Sequence, residues 1–257
     1  MAAKQATEGR DARAVAPILV ALDTTDPARA AGLADALRGH VGGLKLGLEF
    51  FMANGAAGVA RISELGQPVF LDLKFHDIPN TVAGAVRAVA PLRPFILNVH
   101  AGGGRAMMLA ARDAARDSAA KLGIAPPKLI AVTVLTSFAG SDLAEVGVPA
   151  GPQDQVRRLA ALTRDCGLDG VVCSAKEIAV LRQDLGADFL LVTPGIRPAW
   201  AASGDQKRIM TPAEAMEAGA DHLVIGRPIT GADDPVAAAK RIADEIACRA
   251  GDDRTQA

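Results

Sequence analysis

The sequence predicts an α/β protein folded as one closed (β/α)8 barrel, the TIM-barrel architecture, and three observations predict it. Eight short apolar runs recur along the 257 residues. Alanine-rich stretches with helical periodicity separate them, and polar or charged residues stand at the end of most runs. Strands that alternate with helices form parallel βα units buried on both faces, which is why the runs are almost continuously apolar. Eight such units in about 240 residues suit a closed barrel better than an open doubly wound sheet. No G-x-G-x-x-G follows the first run, so a dinucleotide-binding open sheet lacks its fingerprint.

The elements follow in order. The first run, PILVAL at 17–22, ends on Asp23; Asp26-Pro27 then offers an N-cap acceptor and a proline at the first helical position of a helix over 27–38. The second run, GLKLGL at 43–48, carries Lys45 and precedes a helical stretch at 54–65. The third, VFLDL at 69–73, brings Asp72 and Lys74 to its end, with a helix over 81–90. FILNV at 95–99 ends on His100, and Gly102-Gly103-Gly104 reads as a turn rather than an anion nest. LIAVTV at 129–134 is followed by Thr136-Ser137, and GVVC at 170–173 is the sixth run. FLLVT at 189–193 leads into Gly195-Ile196-Arg197. Residues 198–210 lack periodicity, and a loop of that length is expected to be functional, here a lid over a bound substrate. Thr211-Pro212-Ala213-Glu214 forms a capping box for a helix at 212–219. HLVIG at 222–226 ends on Gly226-Arg227, and Asp234-Pro235 starts the last helix. Residues 1–16 read as an N-terminal extension, 17–249 as the barrel and 250–257 as a tail.

Composition removes other classes. Lys and Arg number 28 against 29 Asp and Glu, with no basic block, so a nucleic-acid partner is not expected. Cys166, Cys173 and Cys248 have neither metal-ligand spacing nor a disulfide framework; they read as small core residues in a reducing cytosol. No apolar run approaches a membrane span, and the first sixteen residues lack the apolar stretch of a signal peptide. The expectation is a soluble cytoplasmic protein.

Polar residues at the C-terminal ends of barrel strands surround one mouth, where barrel active sites lie. Residues two apart share a face of a strand, so Asp72 and Lys74 are expected to point together into that mouth, with Lys45 within reach from the neighbouring strand. Such charges must be paired, because an isolated buried charge costs several kcal/mol. A structural ion pair is the plain alternative. Phosphate is commonly bound by the loops after strands seven and eight, where this chain places Gly195 with Arg197 and Gly226 with Arg227.

The string VFLDLKFHDIPNTV at 69–82 resembles the signature of the orotidine 5′-monophosphate decarboxylase family, with its D-x-K-x-x-D-I-P-N-T pattern unbroken. The likeness extends through KLGLE at 45–49, NVHAGGG at 98–104, VTPGIRP at 192–198, GDQKRIMTP at 204–212 and VIGRPIT at 224–230. It implies loss of CO2 from orotidine 5′-monophosphate to give uridine 5′-monophosphate, the last step of de novo pyrimidine synthesis, with no metal or organic cofactor. It also implies a catalytic network of Lys45, Asp72, Lys74 and Asp77. Asp77 and Thr81 would serve the neighbouring active site of a homodimer. Arg197, Gln206, Gly226 and Arg227 would hold the phosphate, Asp23 the ribose, and Thr136 with Ser137 the pyrimidine; Ile78 joins the substrate-binding set.

The chemistry fits these groups. An ammonium at Lys74 would stabilise a carbanion at C6 and then protonate it. Asp72 about 4 Å from the departing carboxylate would repel it by about 4 kcal/mol, roughly three powers of ten in rate. That falls far short of so slow a reaction's needs. Lys74 as a Schiff-base nucleophile ranks lower, because flanking carboxylates favour its charged form. His76 and His100 read as structural. The remaining alternatives are a magnesium-dependent sugar-phosphate decarboxylase or synthase on the same barrel, or a silent phosphate-binding barrel.

Overall fold

The computed structural model describes residues 16–201 and 210–252. Eight parallel strands, β1 (Ile18–Ala21), β2 (Gly43–Gly47), β3 (Val69–Phe75), β4 (Ile96–His100), β5 (Lys128–Val132), β6 (Gly170–Val172), β7 (Leu190–Pro194) and β8 (His222–Ile225), pair in sequence order, and β8 closes on β1. Each lies within two residues of its expected run. The helices are α1 (Pro27–Ala36), α2 (Leu48–Ser63), α3 (Pro79–Val89), α4 (Gly104–Leu122), α5 (Gly140–Glu145), α6 (Pro152–Asp165), α7 (Ile178–Leu185), α8 (Pro212–Glu217), α9 (Arg227–Thr230) and α10 (Pro235–Asp252).

The expected caps form. Asp26 Oδ1 accepts the Ala28 N–H at 2.8 Å, Asp234 Oδ1 accepts that of Ala237 at 2.9 Å, and Thr211 and Glu214 exchange the bonds of a capping box. One boundary differs: α2 begins at Leu48 rather than 54, and a kink at Gly55, at φ 61°, splits its periodicity so that only the second half reads as helix.

Alternation along each strand divides two cores. Outward residues such as Val20, Leu44, Leu46, Leu71, Leu97, Val99, Ala131 and Leu223 pack under the helices. Inward, Leu19, Phe70, Ile96, Ile130 and Val192 form a closed apolar layer that fills the barrel. The inward positions two residues further along β1, β3 and β4 are Ala21, Asp72 and Asn98. Polarity therefore begins one layer above the apolar plug.

The opposite end is held by two matching aspartate clasps. Asp169, just before β6, accepts the Leu129 N–H at 2.8 Å and faces Lys128 at 3.3 Å. Asp221, just before β8, accepts the Leu191 N–H at 2.8 Å and pairs with Arg182 at 2.7 Å. Arg182 also donates to the carbonyls of Gly186, Phe189 and Gly219, so one guanidinium satisfies the ends of three segments.

Cys166 and Cys173 are buried as expected, and burial pushes the Cys173 thiol up to about 12. Cys248 is exposed on α10, which corrects its reading as a core residue. Among the described residues no helix is long and apolar enough to cross a membrane.

Arg182→Ala removes the charged partner of Asp221 and the side-chain donor to three carbonyls. It is expected to cost about 3 kcal/mol, roughly 6–12 °C of melting temperature in a chain of this size. A calorimetric shift under about 2 °C would contradict the clasp.

Candidate active site

The inward face of β2 reads Gly43, Lys45, Gly47, a long cation between two residues without side chains. Glycine is required at the first, and at the second it keeps the lysine's path clear. A Cβ at Gly43 would lie 2.5 Å from the Pro68 carbonyl oxygen, and one at Gly47 would lie 2.9 Å from Lys45 Nζ. The lysine thus rises past Gly47 to the mouth, where Nζ donates to Asp23 Oδ1 at 2.8 Å and lies 3.7 Å from Asp72 Oδ2.

Asp72 is the hub. Its Oδ1 accepts from Lys74 Nζ at 2.6 Å and from Asn98 Nδ2 at 2.7 Å, while Oδ2 faces Lys45. Asp72 is 8% exposed, so its carboxylate needs this compensation. Lys45, Asp72 and Lys74 meet as the strand ends suggested, and Asp23 extends them into one connected chain of alternating charge.

Lys74 arrives there by a different route from simple alternation. Its φ is +52°, left-handed backbone for a residue that has a Cβ. The register between β3 and β4 runs Phe70 to Ile96 and Leu71 to Leu97, then jumps to Phe75 opposite Val99. Two extra residues of β3 bulge out of the ladder. The Lys74 N–H donates instead to Asn98 Oδ1 at 2.8 Å.

Beyond the bulge His76 stacks on His100, ring centroids 5.3 Å apart, and lies over the turn at 101–103, where a Cβ on Gly103 would come within 3.2 Å of its ring. That packing explains the glycine run as a turn. Burial lowers the pKa of His100 below its ordinary 6.5, helped by His76 and Lys74 and opposed by Asp72.

The other candidates lie around this centre. Asp77, Ile78 and Thr81 are exposed at the start of α3, Ile78 at 66%, and Asp77 Oδ1 accepts the Ile78 N–H at 2.6 Å. Thr136 and Ser137 form an exposed turn after β5. Arg197 follows β7, is buried, and its backbone N–H donates to the Met210 carbonyl at 3.2 Å across the base of the long loop. Trp200 in that loop carries the Arg241 guanidinium over its ring at 4.6 Å. Gly226 and Arg227 begin α9, and a Cβ on Gly226 would lie 3.9 Å from Asp23 Oδ2, so this loop closes directly on the charge network. Gln206 lies outside the described residues.

Asn98 and Gly47 escaped the sequence reading. A fully buried asparagine inside the apolar run FILNV was itself a signal, since a buried amide must find partners.

Because His100 titrates lower in the fold than in the open chain, the unfolded state binds more protons as pH falls through 6.5. Stability is therefore lost on acidification through that value. Melting temperature should drop between about pH 8 and about pH 5.5, and His100→Gln should flatten part of the drop. An unchanged slope in the variant would remove His100 as the cause.

A family model described as "Orotidine 5'-phosphate decarboxylase / HUMPS family" matches residues 16–242. A protein of Rhodospirillum rubrum named orotidine 5′-phosphate decarboxylase is 67% identical over 231 residues, 90% of this chain and 94% of that one. One of Moorella thermoacetica with the same name is 55% identical, covering 89% and 91%. The crystal structure of orotidine 5′-phosphate decarboxylase from Lactobacillus acidophilus superposes with a TM-score of 0.80 at 39% identity, over 90% of this chain and 99% of the other.

Proposed function

The chain belongs to the orotidine 5′-phosphate decarboxylase / HUMPS family, and from that premise we propose that it converts orotidine 5′-monophosphate to uridine 5′-monophosphate through protonation of C6 by Lys74. The observation that carries this reading is the continuous run of ion pairs Asp23–Lys45–Asp72–Lys74 at the barrel mouth. Loss of CO2 from C6 leaves an electron pair with little resonance relief. A fixed ammonium meets that charge as it develops and then supplies the proton.

Asp72 acts chiefly as the residue that holds this ammonium. Two lysines and an amide already face its carboxylate, so its repulsion of the substrate carboxylate is weaker than that of a bare charge. Stabilisation of the carbanion by Lys74 consequently carries more of the rate than ground-state repulsion does.

The loops after β7 and β8 are read as the phosphate site, with Arg197, Gly226 and Arg227 joined by Gln206. Asp23, beside Gly226, takes the ribose hydroxyls, and Thr136 with Ser137 takes the pyrimidine edge. Binding energy from the remote phosphate then orders the loop and serves the chemical step. No metal or organic cofactor takes part in this scheme. The two carboxylates of the network, Asp23 and Asp72, are each engaged by a lysine, which favours the nucleotide reading.

We read the active protein as a homodimer in the cytoplasm, with Asp77, Ile78 and Thr81 of the partner subunit completing each site. Their exposure at the start of α3 supports this, as does that of Leu48 and Met52 at the start of the neighbouring α2, Met52 at 75%.

Purified protein incubated with orotidine 5′-monophosphate and EDTA should replace the orotate absorbance by that of uracil. No conversion would sink the nucleotide reading, and conversion that stops with EDTA would overturn the metal-free scheme. Lys74→Ala should abolish nearly all turnover while uridine 5′-monophosphate still binds.

Mixing Asp77→Ala with Lys74→Ala protein tests the shared site. Random subunit exchange gives one intact site per hybrid, and about a quarter of wild-type activity should return. No recovery after demonstrated exchange would argue against it.

A further inference from the structure

Asn98 touches both halves of the catalytic pair. It sits on the inward face of β4, one layer above Ile96, and is fully buried. Its amide is used at both ends and both bonds go to β3: Nδ2 donates to Asp72 Oδ1 at 2.7 Å, and Oδ1 accepts the Lys74 N–H at 2.8 Å. We propose that Asn98 is the positioning residue of this site, stapling the β3 bulge so that the Lys74 ammonium is aimed and held against Asp72. The inference rests on the reading of Lys74 as the group that meets C6.

The physical case has three parts. First, the left-handed backbone of Lys74 is unfavourable by about 1–2 kcal/mol for a residue with a Cβ, so something must hold it. Second, the Lys74 N–H lies inside the stretch where the β3–β4 register shifts, and it donates to the Asn98 side-chain carbonyl. Third, Asp72 Oδ1 accepts from Asn98 and Lys74 together. The amide fixes the rotation of the carboxylate, and the carboxylate then fixes the direction of the ammonium. One side chain thus sets Lys74 twice, through its own backbone and through its counter-ion. A hydrophobic residue of similar volume would fill the space and do neither.

The test compares wild type with Asn98→Ala for turnover and for binding of two probes: uridine 5′-monophosphate, and an analogue bearing an ionised oxygen at C6. Wild type should bind the anionic analogue much more tightly. Asn98→Ala should lose about ten- to hundredfold in both kcat and affinity for the analogue, the range expected for charge-assisted contacts. Its affinity for uridine 5′-monophosphate should stay within about threefold, since phosphate and ribose contacts lie elsewhere.

A merely structural asparagine would lower both affinities together or neither, and either result overturns the proposal. Wild-type protein with no preference for the anion would instead overturn the reading of Lys74 on which the proposal rests. Asn98→Leu repeats the comparison if the alanine variant does not fold. Amide exchange in the unaltered protein supplies an independent arm: the Lys74 N–H should be strongly protected, and exchange at the rate of an open loop would refute the staple.

Discussion

A carboxylate buried above an apolar plug has to be compensated, and the mouth of this barrel is organised around meeting that requirement for Asp72. Removing water from an ionised carboxyl costs several kcal/mol unless donors replace it. Here they come from three strands: Lys45 on β2, Lys74 on β3 itself and Asn98 on β4. Each donor is in turn committed. Lys45 is shared with Asp23 at the end of β1, and Lys74 is shared with nothing but Asp72 among its described side-chain partners. That leaves the Lys74 ammonium with donor capacity toward the open side of the mouth, where a substrate would lie.

The neighbouring residues follow from the same requirement. Gly47 leaves Lys45 a clear path to the mouth, and Gly226 brings the start of α9 beside Ala21 and Asp23. The bulge in β3 shifts its register against β4, and the Asn98 side chain holds the Lys74 N–H there. At the other end of the barrel Asp169 and Asp221 clasp backbone rather than chemistry. Shape is thus secured at one rim and reactivity arranged at the other.

Much of this was legible in the chain. Apolar runs bounded by helix signals located all eight strands, because parallel strands covered on both faces leave little room for polar residues. The caps at Asp26, Thr211 and Asp234 were readable because their chemistry is local. Lys45, Asp72 and Lys74 were legible as a cluster because they stand at the ends of neighbouring strands; Asp77, which the resemblance adds, lies exposed before α3, and Asp23 takes the place beside Lys45. The reason offered for Lys74, a two-residue repeat, did not hold: the bulge depends on register against β4, which no window of sequence contains. Asn98 was hidden for the same reason, since its partners are 24 and 26 residues away. Cys248 was misplaced because an α-helix of mixed composition does not reveal which side meets the barrel.

The left-handed backbone at Lys74 has a consequence for how such a protein can change. A glycine there would relax the chain, and an asparagine would tolerate the turn. Selection for robustness alone would therefore drift away from lysine at the one position where an ammonium is needed. The fold carries a small standing debt at its reactive centre, and thermal hardiness must be gathered elsewhere, at the aspartate clasps and under the helices.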